Sequence, residues 1–271
     1  MCHIYKGPLL EDMNFSPVTF FALSDLGSYH SSILSNQVTN LPSSADFAVH
    51  LGDINDASKT LCAVSVYRQT ESILSKASIP LLVLPGNEDY AACPEPFESL
   101  KDWRTSFAGI EENWMTDNVP QDWIERQPKR EENFAFMKNQ VLFIGVNIAG
   151  KYARDDEVEW QNLDNDNILW TRERLKRDKD QMKALVIFGH ARPGSRQYEF
   201  YFQYVQKYVD RRIPILYMHG DALEDEPILN IYEPFQENGF EMKALEVQRG
   251  DVANPVKVTV SSDKGFVITR S

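Results

Sequence analysis

Histidine and cysteine are scarce in this sequence, and long apolar runs are missing. Its 271 residues include 5 histidines and 3 cysteines. Cys2, Cys62 and Cys93 are odd in number and show no C-x-x-C spacing, which argues against a disulfide framework and favours a reducing compartment. Cys62 falls in a helical stretch and reads as a packing residue. Cys93 follows the PGNED turn and is expected to face away from any site there. No apolar run approaches the ~20 residues of a membrane-spanning helix, which excludes insertion into a bilayer. The opening MCHIYKGPLLEDMN has an early lysine, then acids, and no apolar centre of secretion-signal length. A soluble intracellular protein is the expectation. Cations are also few, since 28 Lys and Arg face 40 Asp and Glu for a net charge of −12. Binding along a nucleic-acid backbone needs clustered Lys and Arg, so nucleic acid is excluded as a partner. A small molecule or a protein remains. No glycine-rich phosphate loop is present, which removes the common nucleotide-binding α/β proteins.

What the sequence does have is five short apolar runs, each ending abruptly in a residue that can hold a metal. They are FFALSD, ending at Asp25; FAVHLGDIND, with Asp53 and Asp56; LLVLPGN, ending at Asn87; ALVIFGH, ending at His190; and ILYMHGD, with His219. Each is long enough for a buried strand, which places the polar residue at the strand's carboxyl end. Sites in α/β proteins are built on that edge. Two carboxylates, an amide and two imidazoles make a mixed O/N donor set suited to Zn, Mn or Fe.

With 42% hydrophobic residues the chain can bury one large core, and residues 1–271 are expected to form one domain. The first half predicts βαβαβ: a strand over 18–23, a weak helix over 31–38, a strand over 47–51, a helix over 58–76 and a strand over 80–84. Such an order calls for right-handed crossovers and a largely parallel sheet. Residues 97–132 carry Trp103, Phe107, Trp114 and Trp123 without strand periodicity and read as helices and loops that cap the site. The KNQ between two apolar runs, at 138–140, predicts a hairpin. The acidic stretch 154–167 reads as a solvated loop before a helix over 168–179. An amphipathic helix follows Ser195 as its cap, and three strand-like runs close the chain, the last two joined by a DKG turn.

The ordered set resembles the calcineurin-like metallophosphoesterases, whose pattern is D-x-H, G-D-x-x-D, G-N-H-[DE], a strand ending in G-H, and G-H-x-H. SDLG supplies Asp25, GDIND matches fully through Gly52, Asp53 and Asp56, PGNED supplies Asn87, and FGH supplies His190. The resemblance runs from about Val18 to Arg270. It implies two packed mixed β-sheets flanked by helices, a four-layer αββα sandwich holding one or two divalent ions, and hydrolysis of a small phosphorylated substrate. Asp25 and Asp53 would hold the first ion; Asp53, Asn87, His190 and His219 would hold the second. The pattern's other histidines are missing. Gly27, Glu88, Gly220 and Ala222 stand in their places, and His219 is displaced by one position. A weakened site follows, or a catalytically silent relative that binds no ion and offers the 97–132 region to a protein partner. Arg192, beyond His190, is the candidate phosphate contact, against a surface ion pair. Plainer readings of the site residues are that Asp25 and Asp53 cap helices, that Asp56 caps a helix or supports a ligand, that Asn87 accommodates a left-handed turn, and that His190 is simply hydrogen-bonded.

Overall fold

The structure, a computed structural model, describes residues 2–5, 15–115, 123–150, 157–210, 212–222, 229–235 and 241–270. The strands, in chain order, begin with β1 (Cys2–Tyr5), β2 (Val18–Leu23), β3 (Phe47–His50), β4 (Leu81–Val83), β5 (Glu125–Gln127), β6 (Arg130–Lys138) and β7 (Val141–Gly145). They continue with β8 (Ala184–Phe188), β9 (Ile215–His219), β10 (Asn230–Phe235), β11 (Met242–Glu246), β12 (Val256–Ser261) and β13 (Gly265–Arg270). The helices are α1 (Ser31–Thr39), α2 (Ala57–Thr60), α3 (Val64–Leu74), α4 (Pro96–Phe107), α5 (Glu157–Asp178) and α6 (Arg196–Val205). All five apolar runs are strands.

Two mixed sheets result. One has the order β1-β13-β12-β2-β3-β4, the other β10-β11-β9-β8-β7-β6-β5. In each, the strands that carry site residues lie in a parallel run, β2 to β3 to β4 at one edge of the first sheet and β7 to β8 to β9 in the middle of the second. Alternation of side chains then sorts the core into layers. Phe20, Phe47 and Val49 of the first sheet meet Phe136, Phe143, Val186 and Phe188 of the second. The opposite face of the first sheet, with Phe21, Leu23 and Val83, packs on Leu34, Tyr67, Trp103 and Phe107 of α1, α3 and α4. The opposite face of the second sheet, with Ile144, Ile187 and Tyr217, packs on Trp170, Tyr198 and Phe202 of α5 and α6. The chain is therefore an α/β sandwich of helix, sheet, sheet and helix.

Four expectations change. The helix expected over 58–76 is broken, because Leu61 and Cys62 adopt left-handed φ of 49° and 56° and Cys62 is joined to Cys93 in a disulfide with Cα atoms 5.9 Å apart. The reading of three unpaired cysteines is thus overturned. The acidic stretch is not a loop from residue 157 on, since it forms the first half of α5. There Trp160 and Leu163 face the core, Arg130 pairs with Glu159 and Asp166 at 2.9 and 2.8 Å, and Asp164 accepts from Gln197. The 97–132 segment contains strand β5 and the start of β6, and its α4 lies against the first sheet through Trp103 and Phe107. Strands β1 and β10, unseen in the sequence, extend the two sheets at their edges. The hairpin is as expected, with Asn139 and Gln140 at φ of 47° and 64°, the two-residue turn that matches strand twist.

Between the sheets Phe47 stacks on Phe20 at 4.9 Å and meets Phe143 and Phe136 edge-on at 5.0 and 5.2 Å. Replacing it by alanine should cost about 3–5 kcal/mol of unfolding free energy, from lost transfer and a cavity the two sheets cannot close. Urea denaturation measures it; a loss under about 1 kcal/mol would mean that the sheets are not held by this aromatic layer.

Candidate metal centre

Strand parity separates His190 from His219, whereas Asp25, on the outward parity of its strand, is brought in by a left-handed turn. In β3 the inward residues Phe47, Val49 and Leu51 are continued by Asp53, and in β8 the inward residues Ala184, Val186 and Phe188 are continued by His190. In β9, however, Leu216 and Met218 face inward while Tyr217 faces the helices. His219 shares the side of Tyr217, whose ring it stacks on at 5.6 Å. Its Nδ1 donates to the Gly220 carbonyl at 2.6 Å and its Nε2 accepts from the Tyr232 hydroxyl at 2.6 Å. Burial holds its pKa down at about 3, so the ring is neutral with both nitrogens committed.

Three groups come together: Asp25, Asp53 and His190 each offer a donor atom, all within 4.8 Å of one another. Asp25 and Asp53 both adopt a φ of 54°, a left-handed conformation that costs about 1–3 kcal/mol outside glycine. The turn aims their carboxylates back across the sheet end. The Asp25 amide donates to the Gly52 carbonyl at 2.9 Å, which ties the first turn to the second. His190 donates from Nδ1 to the Leu51 carbonyl at 2.8 Å, and that bond leaves Nε2 to supply the ring's lone pair, the arrangement by which a backbone acceptor orients a ligating histidine. Nε2 lies 3.3 Å from Asp53 Oδ2.

Asn87 opens a single π-helical turn, Asn87–Ala91, and not a left-handed one. Its Nδ2 donates to Glu88 Oε1 at 2.8 Å, which turns its Oδ1 the other way. Glu88, at the position of the pattern's histidine, also donates its amide to Asp53 Oδ1 at 2.9 Å. Asp56 is the N-cap of α2, accepting from the Lys59 amide. Neither Asp25 nor Asp53 caps a helix. Arg192 is 38% exposed at its side chain, with Nε 3.9 Å from Asp221 Oδ2.

Asp89 stands at the [DE] position of the G-N-H-[DE] pattern but is not among the expected site residues. Its buried carboxylate accepts from the amides of Gly86 (2.8 Å), Asp53 (2.9 Å) and Asn55 (2.8 Å), so it ties the turn after β3 to the turn after β4. The two backbones touch there: a Cβ on Gly52 would lie 2.3 Å from the Gly86 nitrogen, and one on Gly86 would lie 2.1 Å from Asp53 Oδ1. Farther along, the Cys62–Cys93 link joins the connection between α2 and α3 to the segment after Asn87–Ala91, with both sulfurs 3.8 Å from the Glu88 carbonyl oxygen.

The electrostatics are those of a site short of positive charge. Burial, then repulsion from Asp53, raises the Asp25 carboxyl to about 7, and the same two causes raise Asp89 to about 7. Burial alone would lower His190, but the carboxylates of Asp53 and Asp25 hold it up at about 10. Asp25 Oδ2 and Asn87 Oδ1 are sealed from solvent without a hydrogen-bond partner, and the equally sealed His190 Nε2 faces the Asp53 carboxylate at 3.3 Å. Unpaired buried acceptors of this kind cost free energy unless something fills them. A divalent ion bound at about 2.0–2.2 Å would satisfy them, since its ligands stand about 3–4 Å apart. The residues fit a metal ion.

No family model matches the chain, and no curated protein matches it. Among solved structures, TT1561 of Thermus thermophilus superposes with a TM-score of 0.52 at 13% identity, over 94% of this chain and 99% of that one. A second matches with a TM-score of 0.50 at 9% identity, again over 94% and 99%. At such identity the likeness establishes a shared fold across nearly the whole chain.

Two outcomes are expected from this geometry. Asp89→Asn leaves one oxygen where the carboxylate uses two, so at least one of the three amides loses its acceptor, at about 1–3 kcal/mol in urea unfolding; unchanged stability would show that the tie is idle. His50 donates from Nε2 to the Leu26 carbonyl and accepts at Nδ1 from the Gly52 amide, and burial lowers its pKa from 6.5 to about 4. Above pH 6.5 the group is neutral whether folded or unfolded. As pH falls from 6.5 towards 4 the unfolded chain takes up a proton that the folded chain refuses, so stability drops by up to about 1.4 kcal/mol per pH unit. Wild type should lose that amount relative to His50→Gln across the window; a constant difference between the two would refute it.

Proposed function

We propose that the chain is a phosphoester hydrolase related to the calcineurin-like metallophosphoesterases, with one divalent ion held by Asp25, Asp53, Asn87 and His190. The observation that carries this reading is the set of buried, unpartnered donor atoms converging at the carboxyl ends of parallel strands, in the chain order of that family's motifs. Mn, Zn and Fe suit the mixed oxygen and nitrogen donors. A bound dication would supply Lewis acidity towards a phosphoryl oxygen and a water molecule. The chain's own residues do the rest. Asp89 and the Gly52 and Gly86 contact fix Asp53, Glu88 orients Asn87, and the Leu51 carbonyl fixes the His190 tautomer. Arg192 binds the phosphate, since its pair with Asp221 at 3.9 Å is too long to occupy the guanidinium's planar fork. His219 stays outside the ligand set.

The test is metal content and turnover together. Protein exposed to Mn and dialysed should retain one ion per chain by plasma mass spectrometry and release nitrophenol from 4-nitrophenyl phosphate. Asp53→Asn should lose both with its circular dichroism intact. Turnover that persists in that variant would sink the assignment. A wild-type chain that holds no ion would favour the silent relative that serves a protein partner.

A further inference from the structure

If the chain hydrolyses phosphoesters, the alcohol that leaves needs a proton, and the position where the family pattern places a histidine for this is Glu88. Its Oε1 already accepts from Asn87. The other groups around the centre with a dissociable proton are almost all committed. His50 and His219 use both ring nitrogens. Four tyrosines spend their hydroxyls on protein acceptors: Tyr67 on the Asp89 carbonyl, Tyr90 on Asn147, Tyr217 on the Ala191 carbonyl and Tyr232 on His219. The Ser24 hydroxyl is sealed from solvent.

Tyr29 differs from all of these. It sits in the 3-10 turn Ser28–His30 that follows Gly27, and the turn is anchored to α3 by the Ser28 amide on Thr70 Oγ1 at 2.9 Å. Its ring lies beside the position that lacks the first-motif histidine, for a Cβ on Gly27 would be 3.0 Å from Tyr29 Cε1. The residue is 40% exposed, and its hydroxyl makes no hydrogen bond among the described residues. Yet the phenol lies in the field of Asp25, Asp89, Asp53 and Asp56; burial first, then these carboxylates, raises its pKa above the usual value. Its ring, open to solvent and packed beside Gly27, lies on the turn that follows Asp25, at the edge of the centre. The hydroxyl stays protonated at physiological pH, so it can give a proton but not take one.

We infer that the Tyr29 hydroxyl is the proton donor to the leaving ester oxygen, a catalytic role that rests on the hydrolase reading above. A water oxygen bonds to phosphorus, and the phosphorus–oxygen ester bond breaks with its electron pair passing to the ester oxygen. That oxygen takes the Tyr29 proton and departs as alcohol; the phenolate recovers a proton released by the attacking water through solvent. The substrate class that gains most is an alkyl phosphate, whose leaving group is too basic to depart unprotonated.

The experiment compares wild type with Tyr29→Phe, both loaded with Mn, on 4-nitrophenyl phosphate and on 2-phenylethyl phosphate. Expected are equal Mn stoichiometry, nitrophenyl turnover within about threefold, and phenylethyl turnover lowered about 10²-fold, the usual worth of a general acid. Equal losses on both esters would make Tyr29 a binding or structural residue, and no loss on the alkyl ester would leave it no role; either overturns the inference. Wild type inactive on both esters would fail the hydrolase reading itself, a result visible without the variant, and the inference would fall with it.

Discussion

The rest of the structure answers to one constraint, which is to keep several carboxylates together out of water. Asp25, Asp53 and Asp89 crowd the ends of β2, β3 and β4, and among the described residues His190 stands between them as a buried counter-charge. Such an arrangement opposes folding, because each buried acceptor lacks water and repels the next. Two left-handed aspartates add about 1–3 kcal/mol apiece. What offsets this is the aromatic layer between the sheets, which fixes the strand ends regardless of what they carry. Strain at the rim is tolerated because the core beneath it is over-determined.

Local devices then convert a fixed rim into a fixed site. Gly52, with a φ of 98°, and Gly86 are needed at that point because their backbones touch, and any Cβ would collide within 2.3 Å. Asp89 binds three amides from two loops, and the disulfide joins the segments that follow them. These three contacts share one result. Asp53 and Asn87, which lie on different strand-to-helix turns, are positioned as if on one rigid element.

The parts that could be read in the sequence are those set by local periodicity. Five apolar runs became five strands, and GDIND and FGH pointed to Asp53 and His190, each an even number of residues from inward-facing positions of its strand, whereas Asp25, on the odd parity, is brought in by its left-handed turn. His219 looked equivalent, yet it falls on the other parity, and a shift of one residue sends a strand side chain to the opposite face. Asp89 fills the last position of the G-N-H-[DE] pattern, but its role as a tie was not legible there, since it exists only where two loops 34 to 36 residues apart meet. The Cys62–Cys93 link, 31 residues apart, obeys no spacing rule, and it interrupts a pattern that otherwise reads as one helix. Acids in α5 masked its first turns because their partners, Arg130 and Gln197, come from elsewhere in the chain.

Loss of the pattern's histidines is compensated in space, which bears on how many ions the centre can take. A Cβ on Gly27 would lie 1.8 Å from the Ile54 carbonyl oxygen, and a Cβ on Gly220 would lie 2.1 Å from Ser24 Oγ and 3.0 Å from Asp25 Oδ2. Neither position is an open socket from which an imidazole was trimmed. Backbone on one side and a serine on the other have closed in, so restoring a single histidine would force the turn apart before it supplied a ligand. A second cation would need donors where this chain has placed a peptide carbonyl and a buried hydroxyl. The donors that do converge, two carboxylates and one imidazole, could hold one ion with water completing its shell. The same close packing that leaves no room for further side chains at Gly27 and Gly220 holds Asp25, Asp53 and His190 in place.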